Sequence, residues 1–507
     1  MTLILCIILL LSVVTGIYSF RLFTKEKRGS LLLLICSGFL LRLAFILFDP
    51  ILNIWDESFH AVVAKNFTKH WLIPTLYDDT LIRLPTGWVE CHYWLHKQPL
   101  FLWQMAISIK LLGPTILAAR LPGAILASIQ IGLLFSIATK ITDRKVAYYT
   151  ALIYTIAYYP LALVSGAACN DQNDISFVFY ITASIWAYLN YLETKSWKWA
   201  LFVGVLAGMA VLVKWLAGLL VFLGWGLSLV FMKEFRLHWR RYLHLLLAII
   251  ACVMIFLPWQ IYILKTYPVL ASEEFQLISK HFTEVVELHE GPWYFYLEGL
   301  QILYPFYKHL GAIIILISLL VLFPRMKNKH HQILVFSSVI FVYVFFSFAA
   351  TKMTTFVFIV SPFIYLSLGY LMTQLTDRIN VLRRPLLFFS IILFLIFKGI
   401  NIRQTLADHF SPLKLSQIKQ TQHSISVLQD RYKGKEVVIF GVGYLNATQV
   451  LYFTDLIVYT VVPNTEQIEL LLQNHKSPVI IDNGNLPDYI LNDKRIEIIK
   501  DVKFPQY

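Results

Sequence analysis

Two acidic residues side by side, Asp56 and Glu57, follow directly on an apolar run of membrane length. A carboxylate within reach of an attacking hydroxyl can take its proton. Acidic residues also suit a helix N-terminus, where they complement the dipole, so both readings stand for this pair. Trp55 and Phe59 flank Asp56 at the edge of the apolar run, and this favours chemistry. Asp171 and Asp174, in SGAACNDQNDISF, lie at a second such edge. Carboxylates close to hydrocarbon are expensive and often functional; the alternative is a polar cap for the span that follows. Lys97, Lys214 and Lys352 each border an apolar run. An ammonium there either snorkels to the headgroups or neutralises a phosphate and its leaving-group charge. His289, in VVELHEGPWYFY, could join His92, His96, Glu90 or Glu290 around a metal ion. No HxxxH-type spacing supports that, and a hydrogen-bonded loop histidine is the plainer reading.

The elements that must position these residues are mostly membrane spans. Of 507 residues, 58% are hydrophobic and 14% charged, with a mean hydropathy of +0.65. Soluble domains are nearer 45–50% apolar and about 25% charged. Apolar runs fall at 1–20, 30–47, 116–138, 146–164, 175–191, 199–213, 216–232, 245–262, 309–323, 332–349, 355–373 and 385–400. These are long enough to cross a hydrocarbon core of about 30 Å, and they predict a polytopic α-helical membrane protein of about twelve spans. Met1–Phe20 has no basic stretch before it, so it reads as a span and not as a cleaved signal peptide. The net charge of +13 is no nucleic-acid footprint, because much of the excess Lys and Arg lies in short loops between spans. The five cysteines show neither metal spacing nor a disulfide framework.

Orientation follows from those basic loops. Loops 21–29, 139–145, 193–198, 233–244, 324–331 and 376–384 carry Lys or Arg and belong in the cytoplasm. The polar stretch 49–115, the 165–174 and 263–308 loops, and everything after residue 401 then face outward. Residues 1–400 form a membrane domain that includes loop 49–115. Residues 401–507 differ: Val437–Phe440, 456–462 and 479–481 are β-branched, strand-like runs. Between them 447–453 and 466–474 read as helices, so the segment predicts a small α/β domain outside the membrane. Gly441-Val442-Gly443 follows the first strand without a third glycine, which reads as a tight turn and not a dinucleotide site.

Residue type and orientation were read independently, yet Asp56, Lys97, Asp171, Lys214, His289 and Lys352 all fall on the outward side. A transporter concentrates its polar groups near mid-membrane, and a scaffold needs no such cluster. One-sided clustering fits an enzyme acting at the membrane surface on a charged, lipid-borne substrate. The stretches WDESFHAVVAKNF, HKQPLFLWQMAISIKLLGPTILAARLPGAI, GMAVLVKWLAGLL, HEGPWYFYLEGL and TKMTTFVFIVSPF follow one another from residue 55 to 363. In this order they resemble the polyprenyl-phosphate-dependent GT-C glycosyltransferases. Within these the chain is most similar to the bacterial aminoarabinose transferase (ArnT-like) and protein mannosyltransferase-like group.

That resemblance implies a donor sugar linked to undecaprenyl phosphate and transfer with inversion on the periplasmic face of the bacterial inner membrane. It implies a cell-envelope acceptor, lipid A or a related lipid, with a protein Ser or Thr hydroxyl as the alternative. By position, Asp56 and Asp171 look like the catalytic acidic residues, with Glu57 beside them and Asp174 as the lesser candidate for the second. Lys97 is similar to the lysine that meets the donor phosphate, and Lys352 matches the lysine of the later outer loop; Lys352 or Arg83 is expected to help Lys97 at the phosphate. His289 resembles a loop histidine that takes part in divalent-metal binding in some members, and His96 is the other candidate ligand. The sequence departs from the pattern at three places. His96 stands where a glutamate often precedes the lysine, Leu288 where a first histidine often stands, and Glu290 where a basic residue is common. These departures bear on the metal, the sugar and the acceptor.

Overall fold

The structure, a computed structural model, describes residues 2–84, 87–168, 172–304, 308–378, 398–482 and 484–505. Among these, seven helical runs are long and apolar enough to cross a membrane: Leu3–Thr24, Ile116–Ile141, Gln172–Thr194, Trp197–Phe231, Trp239–Thr266, Lys329–Phe348 and Thr354–Arg378. An eighth is made if Arg144–Ile156 and Tyr158–Ser165, bent by 42°, form one span. Pro160 accounts for the bend, since it has no N–H to give the carbonyl of Ile156.

The difference from twelve apolar runs has identifiable sources. Ser30–Ile46 and Leu310–Arg325 are apolar helices below span length. The 385–400 run lies largely outside the described residues. The runs at 199–213 and 216–232 merge into Trp197–Phe231, which nonetheless breaks internally at Trp215 (φ 60°, ψ −158°). There a short 3₁₀ turn, Trp215–Leu219, brings Gly218 back against Ala210 and Val211, so closely that a Cβ would lie 2.7 Å from the Val211 nitrogen. Large apolar side chains such as Leu10, Phe231, Met254 and Phe348 stay exposed on the bundle surface, as lipid-facing residues must.

The C-terminal segment forms a four-stranded parallel sheet of order β2-β1-β3-β4. Its strands are β1 Val437–Phe440, β2 Ile457–Val458, β3 Ser477–Ile481 and β4 Glu497–Ile499. Helices Tyr444–Phe453 and Thr465–Gln473 cross over between strands, as parallel pairing requires. β1 is buried along its whole length, which explains its uninterrupted VVIF. Gly441 turns the chain out of β1 at φ 79°, the tight turn expected there.

This domain sits against loop 49–115. Tyr77 stacks on Tyr459 with ring centroids 5.4 Å apart, Lys476 reaches Asp79 at 2.8 Å, and Thr460 hydrogen-bonds Glu90. A cavity of about 340 Å³ lies along the seam, lined in part by Lys65, Lys69, Asp78, Asp79 and Tyr459.

Candidate active site

Helix Asp56–Phe67 is the centre of the site. It is buried almost throughout, and only its first residue and Lys65 are partly open. Asn53 shapes its start. The Asn53 side-chain oxygen accepts from the Trp55 backbone N–H at 3.0 Å, and its amide donates to the Gly166 carbonyl at 2.8 Å. Such a local turn is what asparagine favours ahead of a helix.

Asp56 and Glu57 separate at once. Adjacent residues on a helix do not share a face. Glu57 turns inward and is fully buried. Arg120, also fully buried, donates from Nε to Glu57 Oε1 at 2.6 Å and from Nη2 to Glu57 Oε2 at 2.9 Å. The remaining guanidinium donors bind the carbonyls of Ile46, Asp49 and Ile51 at 3.3, 2.8 and 2.9 Å. The Asn53 backbone N–H gives Glu57 Oε2 a third bond, at 2.5 Å. Glu57 is therefore corrected from a catalytic candidate to an anchor: its carboxylate is saturated and shut away from solvent. Gly166 (φ 75°) must be glycine, because a Cβ there would collide with Arg120 Nη2 and Glu57 Oε2.

Asp56 instead points to a partly open space, where its Oδ2 lies 3.4 Å from Lys97 Nζ. Burial pushes the Asp56 carboxyl up, but the charges of Lys97, His60 and Lys214 outweigh it and hold the pKa below the ordinary value. Lys97 owes its place to the turn before helix Pro99–Leu112. Proline suits the first helical position and forces Gln98 into extended backbone (φ −73°, ψ 153°). Gln98 is in turn tied to Gln260 on helix Trp239–Thr266, which donates to its side-chain oxygen at 2.7 Å.

A second ion pair lies near the first. Lys214, at the end of helix Trp197–Lys214, meets Asp174 at 2.5 Å. Asp174 is buried, and its other oxygen has no hydrogen-bond partner among the described residues. Asp174 thus serves as the counter-ion of Lys214. Asp171 lies outside the described residues.

Chemically, the site pairs a carboxylate kept ionised with an ammonium on one face of a partly open space. It can accept a proton at the carboxylate and neutralise a departing anion at the ammonium.

A family described as dolichyl-phosphate-mannose-protein mannosyltransferase matches residues 96–262. An undecaprenyl phosphate-alpha-4-amino-4-deoxy-L-arabinose arabinosyl transferase from Pseudomonas aeruginosa is 25% identical over 236 residues, 42% of this chain and 40% of that one. A second such transferase, from Proteus mirabilis, is 24% identical over 48% of this chain and 41% of its own. The chain therefore spans about two fifths of the length of the curated relatives it matches. Among solved structures, ArnT from Cupriavidus metallidurans bound to undecaprenyl phosphate superposes with a TM-score of 0.63 at 15% identity, over 88% of both chains. The archaeal oligosaccharyltransferase AglB from Archaeoglobus fulgidus does so with a TM-score of 0.55 at 12% identity, over 85% of this chain and 64% of that one.

This is the GT-C fold.

Within the GT-C bundle the other expected site residues take separate places. Lys352 is buried, and its ammonium donates to the carbonyls of Ser347 and Ala349 at 2.9 and 2.6 Å. It caps the end of helix Lys329–Phe348. Burial lowers its pKa. The donor-phosphate role expected of Lys352 is corrected on that ground, since two of its three N–H donors are spent on the turn. Arg83 is exposed and makes no ion pair among the described residues.

His96 Nδ1 lies 2.6 Å from Glu274 Oε1, and its Nε2 is 3.3 Å from the Gly87 carbonyl, so both ring nitrogens are engaged. His289 is exposed beside Glu287 at 3.9 Å. The two histidines engage different carboxylates, and no group of three metal-ligating side chains exists among the described residues. Among the described residues His96 and His289 therefore do not form a common donor set for a metal ion.

Sequence reasoning missed Arg120 and His60. An arginine inside the apolar run AARLPGAI requires a buried partner, and His60 stands one helical turn after Asp56, so both left a signal.

Proposed function

We propose that this chain is a membrane glycosyltransferase that moves a sugar from a polyprenyl phosphate, of the undecaprenyl class, to a cell-envelope acceptor. The observation that carries the reading is the Asp56–Lys97 pair, at 3.4 Å in a partly open space at the head of a GT-C bundle. The relatives named as undecaprenyl-phosphate-linked arabinosyl transferases support the donor class. The loops rich in Lys and Arg support an inner-membrane protein with this site on the periplasmic face.

The step is a single displacement. An acceptor oxygen attacks the anomeric carbon from the side opposite the phosphate. The new carbon–oxygen bond forms as the bond to the phosphate oxygen breaks, and configuration inverts. The electron pair leaves with the polyprenyl phosphate, whose developing charge faces the Lys97 ammonium. The proton of an acceptor hydroxyl passes to Asp56. If the acceptor is itself a phosphate, no base is required and Asp56 orients it. Asp174 holds Lys214 close enough for its charge to act on Asp56. Exposed apolar residues Ile107 and Leu111 on helix Pro99–Leu112, with Trp103 donating to the Trp71 carbonyl at 2.9 Å, suit an interfacial element along which a prenyl chain could lie.

Lipid A or a related lipid is the acceptor we favour, and a protein hydroxyl is the second reading. The test is incubation of purified protein in proteoliposomes with a panel of polyprenyl-phosphate sugars, envelope-lipid extract and peptide, with products followed by mass spectrometry. Sugar on lipid supports the first acceptor, and sugar on peptide the second. Lipid movement between leaflets with every donor left intact would replace the reading with a transporter.

A further inference from the structure

The C-terminal domain reaches the segment that carries Asp56 through several side chains, and one of them holds the backbone just ahead of the carboxylate. Gln449, on helix Tyr444–Phe453, is fully buried. Its Oε1 accepts from the Leu52 N–H at 3.2 Å, and its Nε2 donates to the Leu52 carbonyl at 2.9 Å. The amide thus satisfies both backbone groups of one residue, as a neighbouring strand would. Leu52 stands four residues before Asp56 and cannot shift without breaking two buried hydrogen bonds. Beside this contact, Thr448 Oγ1 donates to Ser58 Oγ at 2.9 Å. At the far end of the Asp56 helix, Lys65 donates to the carbonyls of Leu451 and Thr454 at 2.9 and 2.5 Å.

The same segment is also held by Arg120, through Glu57 and the carbonyls of Ile46, Asp49 and Ile51. The short stretch from Asp49 to Glu57 is therefore gripped both by the membrane bundle and by the soluble domain. We propose that Gln449 is a positioning residue for Asp56, and that the C-terminal domain acts in the reaction by fixing the Asp56–Lys97 geometry. This rests on the role proposed above for Asp56.

Contacts that only dock the domain are found elsewhere, at Lys476–Asp79 and in the Tyr77–Tyr459 stack. The Gln449 pair differs because it lands on the backbone leading into the carboxylate. Leucine at 449 would leave the Leu52 N–H and carbonyl unpaired in a buried site. Glutamate could not donate to the carbonyl. A misplacement of about 1 Å at a reacting group can cost on the order of 10² in rate.

The experiment compares full-length wild type, Gln449→Leu and Lys476→Ala in proteoliposomes with a polyprenyl-phosphate sugar, alongside hydrogen exchange of peptides covering residues 49–58. Gln449→Leu is expected to lower kcat by about 10–100-fold while the donor KM stays within about threefold. Its acidic pH limb should move upward, because Asp56 loses its register with Lys97, His60 and Lys214, the charges that reach it. Exchange over 49–58 should rise about tenfold or more. Lys476→Ala should leave kcat and the limb unchanged.

A wild-type kcat and unaltered exchange in Gln449→Leu would overturn the proposal. So would a loss of activity that tracks the folded fraction with an unmoved pH limb, since the domain would then contribute stability alone. A wild type inactive on every donor would defeat the glycosyltransferase reading instead, and exchange would still decide whether Gln449 grips the segment.

Discussion

Asp56 and Glu57 are neighbours in sequence with the same chemistry and opposite surroundings. Glu57 is enclosed with Arg120 and has three hydrogen bonds at 2.5–2.9 Å. Asp56 has one lysine at 3.4 Å and remains partly open. A buried, saturated pair is costly to break and has nothing left to offer a ligand. A partly open pair keeps an ionised oxygen and an ammonium within reach of whatever enters. Residue type alone does not mark a reacting carboxylate; its access to open space does.

Four substitutions would break or sharpen this contrast. Asp56→Asn should cost about 10²–10⁴ in transfer rate while leaving the melting temperature close to wild type, as checked by turnover and thermal unfolding of the same preparation. Arg120→Leu should do the reverse. It leaves Glu57 charged and buried without its partner, so stability should fall by about 3–5 kcal/mol, read as loss of folded protein in detergent. Turnover per folded molecule should fall by about 10–100-fold at most, because Arg120 also holds the segment that leads into Asp56.

Lys97→Met should cost about 10²–10³ in kcat and also move the pH profile. With Lys97 present the Asp56 pKa lies below its ordinary value, so the base stays ionised through the usual carboxylate range and activity is lost only as pH falls below it. Without Lys97 the upward push of burial is less opposed, and the acidic limb of kcat/KM should shift to higher pH. Arg83→Ala should change kcat by less than about threefold, because exposed charges without partners contribute little. A loss as large as that of Lys97→Met would return Arg83 to the donor-phosphate site.

Much of this was legible in the sequence, for physical reasons that can be named. Asp56 and Lys97 stood out as candidates because polar residues interrupting apolar runs at a membrane edge are expensive and rarely idle, and the structure pairs them. β1 was read to the residue, because a buried parallel strand leaves an unbroken β-branched run. The 456–462 run shrank to Ile457–Val458, and β4 was missed because Glu497–Ile499 is short and begins with a charge. Glu57 was misassigned because adjacency in sequence hides that helix geometry sends the two carboxylates to different faces. Its partner lies 63 residues further on, beyond the reach of local pattern. Lys352 looked like a free cation because a lysine at a span edge reads the same whether it meets a ligand or caps a helix. Gln449 lay in a segment with no metal, charge or motif, and only the docking of two domains gives it meaning.

The central claim is that Asp56, not Glu57, faces the reaction. The most direct test is single-turnover consumption of a polyprenyl-phosphate sugar by wild type, Asp56→Asn and Glu57→Gln in proteoliposomes, normalised to folded protein. The account predicts that the rate collapses in Asp56→Asn and survives, per folded molecule, in Glu57→Gln. Near-wild-type turnover in Asp56→Asn, with collapse in Glu57→Gln, would contradict it.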